Sequence, residues 1–354
     1  MKGVILHGGH GTRLRPLTHT GPKQLLPIAN KPMSQYCLES IRNTGITDVA
    51  IIVGGIGSNR VRDYYKDGQD FGVKITYIEQ DLPRGIAHAI RLCKEFVGND
   101  KFLVFLGDNI IQKEITEFTR EFENSDASAS ILLCEVDNPS RFGIADVKDE
   151  KIIKIMEKPK NPPTNLAVTG IYFLTPEIFD VIDNLKPSWR NELEITDSLQ
   201  VLLEKNRKIT YHKITDYWKD TGTPEDIIHA NGEILDNIKP SFSGTKDDSV
   251  SISGNVSIGK GTVIRNAAKL IGPVIIGNNC IIEDSAVIGP NASIGDNCKI
   301  SSCDISQSIV MSDCTINAGI RIRSSIISFN SKIIDVKANH EKVFLLGEGT
   351  QIWI

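Results

Sequence analysis

A chain of 354 residues with 40 basic and 44 acidic side chains carries a net charge of −4 with histidine neutral. That balance excludes the global positive field that nucleic acid or an anionic membrane would call for. Hydrophobic residues at 40% and charged ones at 24% are globular values, which excludes a disordered or collagen-like chain, and about 150 residues per domain predicts two domains.

The opening Met1-Lys2-Gly3-Val4-Ile5-Leu6 turns polar too soon for a signal-peptide core. No later segment approaches the roughly 18 uninterrupted apolar residues of a membrane span, so a cytoplasmic chain is expected. Short apolar runs, mostly β-branched or aromatic, occupy residues 3–6, 48–53, 73–78, 101–106, 130–135 and 170–174 and predict buried strands. Among the early ones, residues 32–44, 58–65 and 85–96 carry apolar side chains at helical spacing. Alternating β and α elements predict a Rossmann-like, doubly wound α/β sheet, with its ligand crevice outside the carboxyl ends of the strands. The cysteines, Cys37, Cys93, Cys134, Cys280, Cys298, Cys303 and Cys314, form no Cys-x-x-Cys pair and no zinc spacing, so reduced structural thiols are expected.

Past Asp236 the period changes. Residues 239–249 have a linker's composition, and from Val250 a six-residue repeat runs as VSISGN, VSIGKG, TVIRNA, AKLIGP, VIIGNN, CIIEDS, AVIGPN, ASIGDN and CKISSC. Every block has Ile or Leu at its third position and a small or β-branched residue at its first. An ordinary alternating strand would not punctuate itself with Gly, Asn or Asp in the second half of eight successive six-residue blocks, so the blocks predict a parallel β-helix with stacked inward residues. The expected layout is an α/β domain over residues 1–238, a linker over 239–249, the β-helix over 250–335 and a cap over 336–354.

Directly after the first predicted strand comes His7-Gly8-Gly9-His10-Gly11-Thr12-Arg13. Closely spaced glycines let backbone N–H groups approach a phosphate, and a following helix start would add its own free donors. The turn is neither the dinucleotide fingerprint, since Leu14 stands at the third glycine, nor a P-loop, since no Gly-Lys-Ser/Thr closes it. Arg13, Arg15 and Lys23 supply charged donors suited to a polyphosphate.

The string GGHGTRLRPLT with the following Pro22-Lys23-Gln24 resembles the opening motif of the sugar-1-phosphate nucleotidyltransferases. Leu106-Gly107-Asp108-Asn109, Glu157-Lys158-Pro159, the run from Glu192 to Asp197 and the run from Trp218 to Thr223 resemble that family's later motifs in order. Gln24 and the Glu-Leu-Glu-Ile-Thr-Asp string look most like the glucose-1-phosphate thymidylyltransferases, and the repeat domain resembles their long form, with its left-handed β-helix.

The resemblance implies that a glucose 1-phosphate oxygen attacks the α-phosphorus of dTTP, giving dTDP-glucose and pyrophosphate. It makes Asp108 and Asp220 magnesium (Mg2+) ligands, in keeping with hard carboxylates that leave room for phosphate oxygens. Arg13, Lys23, Asp108 and Lys158 are the implied catalytic residues. Leu6, Gly8, Gly9, Gly11, Thr12, Gln24, Gln80, Pro83 and Gly85 complete the nucleotide site. Gly143, Glu157, Lys158, Val168 and Arg190 are the implied sugar-phosphate residues. An amide at Gln24 can pair with the N3–H and a carbonyl of thymine or uracil, and one methyl separates the two, so UTP stays open. His7 stands where alanine is common in this family, and His88 where many short-form members carry Gln. Between residues 250 and 335 there is no histidine to serve as an acyltransferase base, although hexapeptide helices also occur in acyltransferases. The repeat is expected to serve structure or a homo-oligomer, a trimer being its common form.

Overall fold

The computed structural model describes residues 1–9 and 11–335, so the expected cap lies outside the described residues. The chain divides into two compact units, one of Met1–Gly11, Thr18–Leu25 and Met33–Asp220, the other of Thr12–Leu17, Leu26–Pro32 and Thr221 onward.

In the first unit a nine-stranded sheet has the order Lys151–Glu157, Gly143–Lys148, Leu166–Leu174, Phe102–Leu106, Lys2–Leu6, Asp48–Val53, Lys74–Glu79. Strand Ala129–Glu135 also pairs with Leu166–Leu174 and carries Ile209–Ile214. The four early strands are parallel, while Leu166–Leu174 runs antiparallel to its neighbours, so the sheet is mixed. Successive residues of the central strands bury on opposite faces. Val4, Ala50, Phe102 and Val104 join one core with helices Ile86–Arg91, Glu177–Asp183 and Ile195–Glu204. Ile5, Val49, Ile51, Leu103 and Phe105 join a second core with Met33–Asn43, Ser58–Tyr65 and Thr116–Glu123. Covering both faces makes these strands apolar throughout, which is why their runs stand out in the sequence.

Three elements depart from expectation. The run 85–96 is two short helices, Ile86–Arg91 and Lys94–Val97. The hairpin Gly143–Lys148 and Lys151–Glu157 escapes a sequence reading because its turn, Asp149-Glu150, takes φ 49° and 58° without glycine or asparagine. No α-helix follows the glycine turn: Thr12–Leu14 is a three-residue 3-10 segment, stopped by Arg15-Pro16, so the helix-start donors expected there are not present.

The second unit is a left-handed β-helix built from three parallel sheets. Val256 pairs with Val274 and Val274 with Ala292, partners 18 residues apart, so three hexapeptides make one coil. The third-position residues Ile258, Ile264, Leu270, Ile276, Ile282, Ile288, Ile294 and Ile300 stack in its core with Cys280, Cys298 and Cys314. Asn266, Asn279, Asn291 and Asn297 take the left-handed corners at φ 55–58°. Segment 239–249, linker-like in composition, already contributes rungs Ser241–Phe242 and Thr245–Lys246. Two-residue rungs ask only for backbone pairing, which composition does not reveal. Helix Pro224–Asp236, opened by a Thr223/Asp226 capping box, lies against this helix through Asn231, whose Oδ1 accepts from Ser293 Oγ (2.6 Å) and Ala29 N (2.9 Å). All seven cysteines are unpaired, and no helix among the described residues is long and apolar enough to cross a membrane.

Candidate active site

Strands Lys2–Leu6 and Phe102–Leu106 are adjacent and parallel, so their carboxyl ends lie side by side, tied by Gly107 N–H to Leu6 O at 3.0 Å. One end feeds the glycine turn and the other feeds Asp108. Within the turn Gly9 and Gly11 take φ 91° and 57°, and Thr18 Oγ1 donates to Gly11 O at 2.8 Å.

Asp108 forms an ion pair with Lys23, and its Oδ1 accepts from Asn109 Nδ2 at 3.0 Å. Burial opposes ionisation of Asp108, but the Lys23 ammonium and the Asn109 amide outweigh it and hold the carboxyl below the usual aspartate range. Asn109 opens a two-stranded antiparallel ribbon in which it faces Asp220. Its Oδ1 accepts from Trp218 Nε1 (2.8 Å) and Gly170 N (3.3 Å). The two carboxylates predicted as metal ligands are thereby brought to one end of one ribbon. Among the described residues no group of three His, Cys, Asp or Glu side chains could hold a metal. Two hard carboxylates without a third suit an ion whose remaining ligands are phosphate oxygens and water.

Gln24 follows Lys23 and is 1% exposed. Its Nε2 donates to Gly8 O at 2.9 Å, leaving Oε1 buried without a hydrogen-bond partner. Ser34 Oγ holds its backbone by donating to Gln24 O at 3.1 Å. Gln80 stands just past strand Lys74–Glu79, with Oε1 3.6 Å from where a Cβ on Gly8 would be. Gly85 has φ 104°, and a Cβ there would sit 2.4 Å from Leu193 O, so only glycine lets this loop close on the backbone at Leu193. Ala87 N–H to Leu193 O (3.0 Å) and Leu193 N–H to Arg84 O (2.8 Å) complete that seam, next to Pro83.

The expected sugar-phosphate residues converge. Gly143 pairs with Glu157 across the hairpin. A Cβ on Gly143 would meet Thr196 Cγ2 at 2.5 Å, Glu157 Oε2 at 3.3 Å and Val168 Cβ at 3.8 Å. Thr196 Oγ1 donates to Glu157 Oε2 at 2.9 Å, and Lys158 Nζ lies 3.6 Å from Glu157 Oε1. Arg190 reaches Glu157 (3.4 Å), Glu192 (3.1 Å) and Glu194 (3.3 Å). Burial, then Glu194, raises the Glu157 pKa above the usual range against the pull of Lys158 and Arg190.

Thr12 and Arg13 belong to the other unit, where the Arg13 guanidinium rests on Gly222, 3.1 Å from where a Cβ would stand. The structure thus joins Lys23, Asp108 and Asp220, and separately Gly143, Glu157, Lys158, Val168 and Arg190. Asn109, Glu194 and Thr196 carry geometry to which the sequence alone assigns no role, although each sits inside one of the family motifs. His7 is buried and neutral: burial pushes its pKa down to about 3 against the attraction of Asp108, and neither ring nitrogen has a partner.

A family model described as nucleotidyl transferase matches residues 2–237, and one described as the GMPPB C-terminal domain matches residues 270–353. The chain is 40% identical over 357 residues to a glucose-1-phosphate thymidylyltransferase of Streptomyces antibioticus, covering 100% of this chain and 99% of that one. It is 48% identical over 259 residues to the low-salt glycan biosynthesis nucleotidyltransferase Agl11 of Haloferax volcanii, covering 73% of this chain and 72% of that protein. A solved Bacillus anthracis chain, provisionally described as a glucose-1-phosphate thymidylyltransferase and bound to a sucrose, is 42% identical with a TM-score of 0.64 over 68% of this chain and 98% of its own. Motifs, fold and full-length likeness agree, and the chain belongs to the nucleotidyl transferase family as a sugar-1-phosphate nucleotidyltransferase with a C-terminal β-helix.

Proposed function

We propose that the protein transfers a thymidylyl group from dTTP to glucose 1-phosphate. The observation that carries the base assignment is Gln24, whose amide N–H is engaged by Gly8 while its carbonyl oxygen stays buried and unpartnered. A buried acceptor of this kind is satisfied by the imide N–H of thymine or uracil, and cytosine, which has a lone pair at that position, leaves it orphaned. The full-length likeness to the Streptomyces antibioticus enzyme supports thymine and glucose over other members of the class.

The chemistry is nucleotidyl transfer in which the sugar phosphate is already a good nucleophile, so the protein's task is to gather and neutralise charge. Lys23 and Arg13 stabilise the phosphates of the nucleotide and the departing pyrophosphate. Leu6, Gly8, Gly9, Gly11 and Thr12 border them, and Gln80, Pro83 and Gly85 frame the nucleoside. Lys158 and Arg190 hold the sugar phosphate, Glu157 accepts from glucose hydroxyls, and Gly143 and Val168 wall the ring. Magnesium, held by Asp108 and Asp220, would supply charge neutralisation at the phosphoryl oxygens. A catalytic domain over residues 1–238, a cytoplasmic setting and a homo-oligomer assembled through the β-helix belong to the same proposal.

A matrix of dTTP, UTP, CTP and GTP against glucose, N-acetylglucosamine and mannose 1-phosphates, read by pyrophosphate release, tests this reading. The highest kcat/KM is expected for dTTP with glucose 1-phosphate, with UTP within about tenfold because one methyl separates the bases. A preference for GTP or for mannose 1-phosphate would overturn it.

A further inference from the structure

Gln80 and His88 are both buried, 8% and 4% exposed, and Gln80 Nε2 lies 3.0 Å from His88 Nδ1. His88 sits on helix Ile86–Arg91, which starts directly after Gly85. An amide nitrogen has only hydrogens to offer, so the ring nitrogen facing it presents its lone pair, and the imidazole is neutral with its proton on Nε2. Burial, with Arg91 and Arg84, lowers the His88 pKa against the opposing charge of Asp81, which keeps that neutral form. With its nitrogen held, Gln80 turns Oε1 toward Gly8, where the missing side chain leaves the approach open. Gln24 gives its own N–H to Gly8 O and keeps Oε1 without a partner. Two glutamines beside one glycine turn thus each have their amide nitrogen engaged by a protein acceptor.

We propose that His88 is a positioning residue for nucleotide recognition: its Nδ1 lone pair holds the Gln80 amide so that a carbonyl oxygen, not an N–H, faces the donor groups of the nucleoside. The inference rests on the transferase reading above. A neutral histidine accomplishes this without a charge, and a glutamine at the same position could do so through its own carbonyl. Leucine could not, and would free Gln80 to rotate by half a turn about its last bond.

Steady-state kinetics of His88→Leu and His88→Gln with dTTP and glucose 1-phosphate test the proposal. His88→Leu should raise the dTTP KM about tenfold while the glucose 1-phosphate KM stays within about twofold, and His88→Gln should restore the dTTP KM to within about threefold of the wild type. Equal effects of both variants, parallel rises in both KM values, or no change in His88→Leu would overturn it. Nitrogen-15 NMR of the wild-type imidazole gives a readout free of turnover and of any variant's folding: Nδ1 unprotonated and Nε2 protonated at neutral pH supports the proposal, and the reverse tautomer overturns it. Should the wild type consume no nucleotide, the transferase reading falls, and the spectrum still judges the Gln80–His88 orientation separately.

Discussion

Asp108→Asn is expected to lower kcat by about a thousandfold or more while the protein still folds. The carboxylate stands at the carboxyl end of strand Phe102–Leu106, faces Lys23 and shares the Asn109 ribbon with Asp220. Amide for carboxylate keeps the volume and removes the charge that pairs with the Lys23 ammonium and that the proposed metal would use. Asp108 and Lys23 side chains are only 14% and 12% exposed, so losing one charge should also cost about 1–3 kcal/mol of stability. Lys23→Met combined with Asp108→Asn separates the two effects. The double variant should recover most of the lost stability in a denaturant titration, yet remain inactive. Near-normal turnover in Asp108→Asn, or turnover regained in the double variant, would contradict the role given to this carboxylate.

Arg190→Ala should raise the glucose 1-phosphate KM by about tenfold to a hundredfold and leave the dTTP KM nearly unchanged. The guanidinium is shared among Glu157, Glu192 and Glu194, the last with a side chain only 4% exposed, so it both serves the proposed sugar site and offsets the mutual repulsion of three carboxylates. Its removal should therefore also destabilise the fold, and the pH dependence of that loss has a definite sign. Burial and Glu194 already raise the Glu157 pKa, and removing Arg190 raises it further. A carboxyl with a raised folded-state pKa stabilises the protein below its unfolded value, and that stability is lost as pH rises through the folded value. Arg190→Ala should accordingly show its largest loss of stability, relative to wild type, near pH 7 and a smaller one near pH 5. Arg190→Lys keeps the charge but not the fork, and should recover stability more than substrate binding. A uniform loss across pH, or a rise in the dTTP KM alone, would count against this account.

Much of this site is legible in the amino-acid sequence because the reaction asks for charged and glycine residues that have no reason to sit together otherwise. The turn from Gly8 to Gly11, Lys23, Asp108 and Glu157-Lys158 stand out for that reason, and the apolar strands that carry them stand out through burial on both faces. The repeat from Val250 is readable because one residue class must recur wherever coils stack. What stays hidden depends on partners distant in the chain. Asn109 joins Gly170 and Trp218, and nothing local to residue 109 announces those contacts. Thr196 and Gly143 meet only after a hairpin folds, and that hairpin turns at Asp149-Glu150, where no glycine marks the two positive-φ positions. Gly85 reads as part of a loop, whereas its structural reason is the Leu193 carbonyl that a Cβ would strike. His7 reads only as a departure from the alanine common at that position; the structure shows it buried, with its pKa pushed down to about 3, so the ring is uncharged near neutrality.

In the proposed reaction a glucose 1-phosphate oxygen attacks the α-phosphorus of dTTP. Glucose 1-phosphate labelled with oxygen-18 in all its phosphate oxygens, incubated with unlabelled dTTP, magnesium and the protein, tests it most directly when both products are read by mass spectrometry. The predicted products are dTDP-glucose that retains every labelled oxygen and pyrophosphate that carries none. Label in the pyrophosphate, or no dTDP-glucose formed at all, would contradict that reaction.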